Sequence, residues 1–183
     1  MNLPISWLPS EPPFDAALRF TLFEEGDLSD DPADHGGRTK WGITQASYDA
    51  WRFRMKRPLQ AVDLMSIAER DQIYTEDYWQ PGSCPVLPVR LAITHFDWCV
   101  NHGPGGAKRM LQTVIGVTSD GSIGQKTLAA IYAQDLDELI TAYIQARIDW
   151  YHDDVDRDVT QARFLAGWLN RCDHLKSYIG LLL

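Results

Sequence analysis

The sequence has few cysteines, few cations and no long apolar run, and each shortage argues against a class of protein. Cys84, Cys99 and Cys172 are an odd number without metal-type spacing, so we expect reduced, mostly buried thiols and no structural disulfide. The 17 Lys and Arg against 25 Asp and Glu give a net charge of -8, which disfavours binding to nucleic acid. No apolar stretch approaches the roughly 18 residues of a membrane span, so we expect no stable membrane insertion.

Helical periodicity runs through the chain, whereas alternating strand patterns are nearly absent. Residues 14–25 read as an apolar helix that stops at Gly26, and a long loop follows. Thr44 has the position of an N-cap, and Ser66 with Glu69 has the spacing of a capping box. Further helices are expected over 89–101, 107–115, 135–153 and 160–182, with a short one after 124. We therefore predict a mainly α fold with little or no β-structure, in a single compact unit.

Glu25, at the end of the first predicted helix, is the strongest candidate for catalysis. A carboxylate at a helix C-terminus faces the negative end of the helix dipole, and Glu24 and Asp27 add like charge nearby. Both effects favour the protonated form, as would exclusion of water by Phe23 and Trp41. A protonated glutamate near neutral pH is the general acid that cleavage of a glycosidic bond requires.

Asp34 and Thr39 follow Glu25 in a glycine-rich loop. Asp34 is spaced to lie across a cleft from Glu25, where it would stabilise an oxocarbenium-like transition state or orient water. The hydroxyl of Thr39 would hold that water. Taken singly, each residue is better explained as a turn former that satisfies backbone donors.

Taken together, this run resembles the signature of glycoside hydrolase family 108, the N-acetylmuramidases found in phages and prophages. The matching positions are Glu25-Gly26, Asp30-Asp31-Pro32, Asp34, Gly36-Gly37, Thr39 and Gly42-Ile43-Thr44. Asp27 and Leu28 depart from the glycine and tyrosine of the family. Later positions that resemble family motifs are Tyr78-Trp79, Phe96-Asp97, Asn101 and Gly103.

The resemblance implies a lysozyme-like fold that hydrolyses the glycan strand of peptidoglycan, with Glu25 as the acid and Asp34 and Thr39 as its partners. It implies no metal and no organic cofactor. A catalytic part over 14–103 would follow an irregular leader over 1–13.

The C-terminal part, over 104–183, would be a helical peptidoglycan-binding segment packed on the catalytic part. The positions that resemble such a segment run from Gln112 to Arg171 and include Arg147 and Tyr151. We expect the protein to be a monomer.

Aromatic side chains suit a sugar site because pyranose faces stack on flat rings, and the chain has 7 Trp and 7 Tyr. Trp41, Tyr48 and Tyr78 are the candidate substrate contacts of this kind, and Asn101 is a fourth. Asp97 and Asn101 are one helical turn apart, and we expect them to cap the helix end or to bond the catalytic loop.

The resemblance also implies a biological setting, which is lysis by a phage or prophage. The first residues lack the basic start and apolar stretch of a secretory signal, so we expect synthesis in the cytoplasm and release to the periplasmic wall through a holin pore. A toxin delivered to a rival cell would have the same sequence features.

Three alternative functions remain open at this stage. A lytic transglycosylase would use the same acid but leave anhydro sugar ends. A zinc-dependent wall amidase or peptidase is motivated by Asp34-His35, His95, Asp97 and His102, although their spacing matches no usual zinc set. A non-catalytic peptidoglycan-binding module would make Glu25 an ordinary helix-end residue.

Overall fold

A computed structural model of the chain describes residues 10–25, 28–29 and 38–180. Asp34, and residues 1–9 of the expected leader, lie outside the described residues. The helices are α1 (Pro13–Glu25), α2 (Gln45–Arg54), α3 (Ile67–Tyr74), α4 (Val89–Val114), α5 (Gln125–Tyr132), α6 (Leu136–Arg157) and α7 (Ala162–Tyr178). Short 3-10 helices span Val62–Leu64, Cys84–Val86 and Val159–Gln161, and a π-helical turn spans Thr75–Trp79. The predicted mainly α fold in one compact unit is confirmed.

The helix starts follow the local signals that the sequence contains. The side chain of Thr44 accepts from the backbone N–H of Ser47 and so caps α2. Ser66 and Glu69 form the expected capping box at the start of α3, each side chain bonding the other's backbone N–H. Asp135 caps α6 in the same manner as Thr44 caps α2. These polar side chains satisfy helix N–H groups that have no partner within the helix.

The core is built around α4, against which both α1 and α6 pack. Its fully buried apolar residues include Leu91, Ile93 and Phe96. The charged Asp97 is equally buried among them, with no exposed surface. The helix bends at Gly103, whose φ of 73° is non-helical, so the break that the sequence predicted there is a kink within one element.

A small antiparallel sheet occupies part of the predicted loop after α1. Its strands are β1 (Leu28–Ser29), β2 (Thr39–Lys40) and β3 (Ile43–Thr44), in that order across the sheet. Ser29 pairs with Thr39, and Thr39 pairs in turn with Thr44. The turn between β2 and β3 consists of Trp41 and Gly42, which both have positive φ, as a tight two-residue hairpin turn requires.

Among the described residues, no helix combines the length and the apolar character that crossing a bilayer would take. The longest helix, α4, carries buried charge within its span.

Candidate active site

Glu25 is the last residue of α1, and its side chain is 25% exposed. The Nη1 of Arg171, on α7, donates to the Oε1 of Glu25 at 2.7 Å. The other carboxylate oxygen, Oε2, lies against the hairpin turn, because a Cβ placed on Gly42 would be 3.1 Å from it. One oxygen is therefore held by a cation, and the other faces the backbone of the β2–β3 turn.

The adjacent Glu24 is in a different environment. Its side chain is only 11% exposed and accepts a hydrogen bond at 2.7 Å in a pair with Nδ1 of His174. The ring of Phe23 packs against the same histidine, with centroids 6.1 Å apart. Phe23 thus packs on α7, and the structure distinguishes two glutamates that the helical pattern alone does not.

Arg171 is held in place by Asp97, the buried carboxylate of α4. Its Nη2 donates to Asp97 at 2.6 Å, and its Nε lies 3.1 Å from both carboxylate oxygens. Arg147, on α6, donates to the second oxygen of Asp97 at 2.6 Å. Thr21, on α1, donates at 3.4 Å. Four helices therefore meet at one carboxylate, and the arginine that contacts Glu25 is part of that junction.

The charges in this network stabilise one another. Burial by itself would raise the pKa of Asp97, but Arg171 and Arg147 outweigh it and lower that pKa to about 2. Asp97 is therefore ionised across the physiological range and keeps Arg171 oriented. A buried charge of this kind requires partners, since an unpaired one costs several kcal/mol.

This role of Asp97 and the two arginines was missed by the sequence-based interpretation, which treated Asp97 as a cap or a loop contact. Arg147 and Arg171 were matched to a motif but had no assigned function. The sequence contains one signal of this role. Asp97 lies between Phe96 and Trp98 on an apolar helix, and a carboxylate buried there needs a cation as its partner. Which cation it pairs with depends on how α6 and α7 pack.

Gly42 and Tyr74 line the side of Glu25 that faces the hairpin turn. The hydroxyl of Tyr74 donates to the carbonyl of Trp41 at 2.7 Å and thereby ties the hairpin turn to α3. The same hydroxyl lies 3.1 Å from the position of a Cβ on Gly42. Burial raises the pKa of Tyr74, and the nearby charge of Glu25 raises it further. Tyr74 is therefore a neutral hydroxyl, which suits a donor that positions the turn.

Trp41, which precedes Gly42 in the hairpin turn, is partly exposed. The Nζ of Lys40 is 4.3 Å from the centroid of its ring, and the guanidinium of Arg70 is 4.9 Å from it. A depression of about 330 Å³ between α1 and α3 is lined in part by Arg70 and by Leu22, one helical turn before Glu25. From Leu22 the depression runs toward the start of α1, and its lining includes neither Trp41 nor Glu25.

Two of the other predicted site residues, Thr39 and Tyr78, lie near Glu25. Thr39 is on β2, two residues before the turn that contacts Glu25. Tyr78 is partly buried with its ring 5.6 Å from that of Tyr74, and the charge of Glu25 contributes, after burial and Asp77, to raising its pKa. These two residues are near the candidate acid. Asp34 is outside the described residues.

Of the other two predicted substrate contacts, Tyr48 is buried and Asn101 is exposed. Tyr48 has no exposed surface, and its hydroxyl bonds Glu69, Arg52 and Gln60. A ring without exposed surface cannot contact a sugar, so the assignment of Tyr48 as a substrate contact is corrected to a structural one. Asn101 is exposed, and its amide donates to the carbonyl of Asp97, four residues earlier in α4, at 2.9 Å.

The residues that motivated a zinc site do not converge within the described part of the chain. The carboxylate of Asp97 is occupied by two arginines. His95 is buried and uses both ring nitrogens, and His102 stacks on Trp98 with centroids 4.2 Å apart. Burial lowers the pKa of His102 to about 4, with a further contribution from Arg147. His35 lies outside the described residues.

Two family models match the chain. One, described as glycosyl hydrolase 108, matches residues 18–103, and the other, described as a predicted peptidoglycan domain, matches residues 106–173. The chain is also similar to the solved structure of SagA from Brucella abortus, with 32% identity over 92% of this chain and 94% of that one, and a TM-score of 0.77. No protein with a curated description matches the sequence.

The chain belongs to the glycosyl hydrolase 108 family. As a family member with a peptidoglycan domain, it is a glycoside hydrolase that acts on peptidoglycan. Glu25 lies in the stretch matched by the hydrolase model, whereas Arg171 lies in the stretch matched by the peptidoglycan model. In this glycosyl hydrolase 108 chain, the two stretches are therefore joined at the candidate site by the ion pair of Glu25 with Arg171. The pairs of Asp97 with Arg171 and Arg147 join them as well.

Proposed function

We propose that the protein is an N-acetylmuramidase that hydrolyses the glycosidic bond after N-acetylmuramic acid, with Glu25 as the general acid. The observation that carries the proposal is the asymmetric environment of the Glu25 carboxyl group. Arg171 engages Oε1, and Oε2 is the oxygen beside Gly42. The partial exposure of the side chain leaves it open to a bound glycan.

In this proposal, the proton is carried on Oε2 and passes to the oxygen that links two sugars. The bond between that oxygen and the anomeric carbon of the muramic acid breaks, and positive charge develops on the sugar ring. Water then adds to the anomeric carbon and leaves a reducing end. Because Oε1 stays bonded to Arg171, the carboxyl group keeps its direction while its charge changes.

Thr39 and Asp34 complete the proposed mechanism as the residues that orient the water or stabilise the cationic ring. Thr39 is supported by its place on β2, next to the turn that contacts Glu25. Asp34 is supported by the family signature alone. Trp41 and Tyr78 are proposed sugar contacts, because neither ring is fully buried. Trp41 belongs to the turn that contacts Glu25, and the charge of Glu25 acts on Tyr78.

Mass spectrometry of purified peptidoglycan, digested by the wild type and by Glu25→Gln, tests this function. Glu24→Gln is the matched control, because it makes the same change at the adjacent residue and keeps an oxygen for His174. We expect reducing muramic acid ends from the wild type and the control, and none from Glu25→Gln. Anhydro ends would indicate a lytic transglycosylase, and cut peptides an amidase or peptidase; either result contradicts the proposal.

We propose further that the enzyme acts in lysis by a phage or prophage and reaches the wall through a holin pore. The family motif around Glu25 supports this setting. Cells that express the protein should lose optical density only when a holin is co-expressed, and Glu25→Gln should abolish that loss. Lysis that does not depend on the pore would contradict this route.

A further inference from the structure

A cluster of two cysteines and a histidine lies outside the candidate active site. Cys84 begins the 3-10 helix that precedes α4, and His95 and Cys99 are one turn apart on α4. The two Sγ atoms and a ring nitrogen of His95 all lie within 4.8 Å of one another, and the three residues are buried.

The backbone around Gly82 is shaped to bring the two sulfurs together. A Cβ on Gly82 would lie 2.8 Å from the Sγ of Cys99, 3.1 Å from that of Cys84 and 2.7 Å from the carbonyl oxygen of Tyr78. No side chain fits there, so the chain passes directly over both sulfurs. Ser83 follows in the left-handed region with a φ of 62°, which turns Cys84 toward α4.

His95 positions the pair but does not suit metal ligation. One ring nitrogen lies 2.8 Å from the hydroxyl of Tyr143, and the other lies 3.0 Å from the carbonyl oxygen of Gly82. A metal ion would need a ring nitrogen whose lone pair is available, and both nitrogens here have protein partners. The geometry therefore favours chemistry between the two sulfurs.

The two sulfurs are electronically different. Burial raises the pKa of Cys84. Burial by itself would also raise the pKa of Cys99, but the neighbouring Cys84 and His95 outweigh it and lower that pKa. The proton of the pair is therefore held mainly by Cys84, and Cys99 is the sulfur that can accept it.

Of the two cysteines, Cys84 faces a cavity, with 1% of its surface exposed. That residue lines a cavity of about 320 Å³, together with Phe14 at the start of α1, Trp79 and Leu87. Cys99 lies behind Cys84, without exposed surface. The third cysteine, Cys172, is on α7 and is not part of the cluster.

We propose that Cys84 and Cys99 form a redox-active thiol pair that a low-molecular-weight disulfide oxidises to an intramolecular disulfide. In the first step, Cys84 transfers its proton to Cys99, and its sulfur attacks one sulfur of glutathione disulfide, which releases one glutathione thiolate. Cys99 then gives that proton to the released glutathione thiolate, and its own thiolate attacks the Cys84 sulfur in the mixed disulfide and releases the second glutathione thiolate. Two electrons pass from the pair to the reagent, one S–S bond forms in the protein, and two molecules of glutathione are produced.

The disulfide would link the turn after Trp79 to the middle of α4. It closes a short loop of the unfolded chain, so the oxidised protein should melt on the order of 5–10 °C higher than the reduced protein. Cys99 and Asp97 are two residues apart on α4 and so point to opposite sides of the helix. Oxidation should therefore leave the hydrolytic activity unchanged.

The test treats folded, full-length protein with glutathione disulfide, quenches it with acid, unfolds it and counts the free thiols. We expect one remaining thiol, at Cys172, a mass lower by two hydrogen atoms, and a cross-linked peptide that contains Cys84 and Cys99. Dithiothreitol should restore three thiols and the lower melting temperature.

Cys172→Ala is the matched control, and its two thiols should both be lost on oxidation. Cys84→Ala should form no intramolecular disulfide, and its melting temperature should no longer respond to the oxidant. Three persistent thiols, a stable glutathione adduct on Cys84, a disulfide that includes Cys172, or a bound zinc ion that protects the pair would each overturn the proposal.

Discussion

Replacement of Arg171 by methionine should both destabilise the protein and lower its activity. The side chain of Arg171 is 10% exposed and donates to Asp97 through two of its nitrogens and to Glu25 through the third. Methionine preserves much of the volume but removes every one of these bonds. Asp97, which has no exposed surface, is then left with Arg147 and a long bond from Thr21.

The magnitude follows from the loss of one partner of a buried ion pair, which costs about 3–5 kcal/mol. Because Arg147 remains on Asp97, we expect the low end of that range, about 3 kcal/mol. For a chain of this size, the melting temperature should fall by roughly 6–12 °C. Arg171→Lys keeps the charge but reaches fewer acceptors, so its loss should be smaller, about 1–2 kcal/mol.

The assays are urea unfolding for stability and release of reducing ends from peptidoglycan for activity, the latter at a temperature where every variant is folded. A positioning role for Arg171 predicts a lower kcat with little change in KM, because Glu25 loses its orientation and the sugar contacts remain. Arg157→Met is the control, since Arg157 is 62% exposed in a surface pair with Asp154 and should change stability by less than about 0.5 kcal/mol.

Two results would refute this reasoning. A loss of stability below about 1 kcal/mol in Arg171→Met would mean that Asp97 does not depend on the arginine. Full activity per folded molecule would mean that Arg171 does not position Glu25.

Three further changes test other parts of the structure. Gly42→Ala places a Cβ 3.0 Å from the Cγ of Glu25 at a φ of 74°, so activity should fall well below that of Gly116→Ala, which has a φ of 72° and an empty surrounding. The pKa of Asp97 is lowered to about 2 from 3.8, so ionised Asp97 should stabilise the fold by roughly 2 kcal/mol above pH 4. This contribution should be lost as the pH falls to 2. The free energy of unfolding should therefore fall with pH more steeply in the wild type than in Asp97→Asn. The pKa of His102 is lowered to about 4, so NMR should find its ring neutral at pH 5, and stability should decline as the pH falls from 6.5 toward 4; a midpoint near 6.5 would contradict its packing between aromatic rings.

The environment of the candidate acid shows where reasoning from sequence ends. Glu25 was identified from a motif that is contiguous in the chain, and its place at the end of α1 was predicted from the helical pattern. Its partner Arg171 is 146 residues away. No local pattern links the two, because their contact depends on the way α7 packs against α1 and α4.

The cysteines show a similar limit. Their odd number and spacing led to the expectation of reduced, mostly buried thiols, and all three are free and buried in the structure. Cys84 and Cys99 nevertheless lie against each other, since the turn at Gly82 folds back onto α4. Spacing along the chain gives no measure of that approach.

The sequence by itself determined the helices, the caps at Thr44 and Ser66, and the candidate acid, because these features depend on residues a few positions apart. Only the tertiary structure decided which charges balance Asp97, which oxygen of Glu25 binds Arg171, and that Tyr48 belongs to the core. Those outcomes depend on the relative placement of whole helices. Local periodicity specifies which face of a helix is buried, but it leaves open which side chains that face will meet.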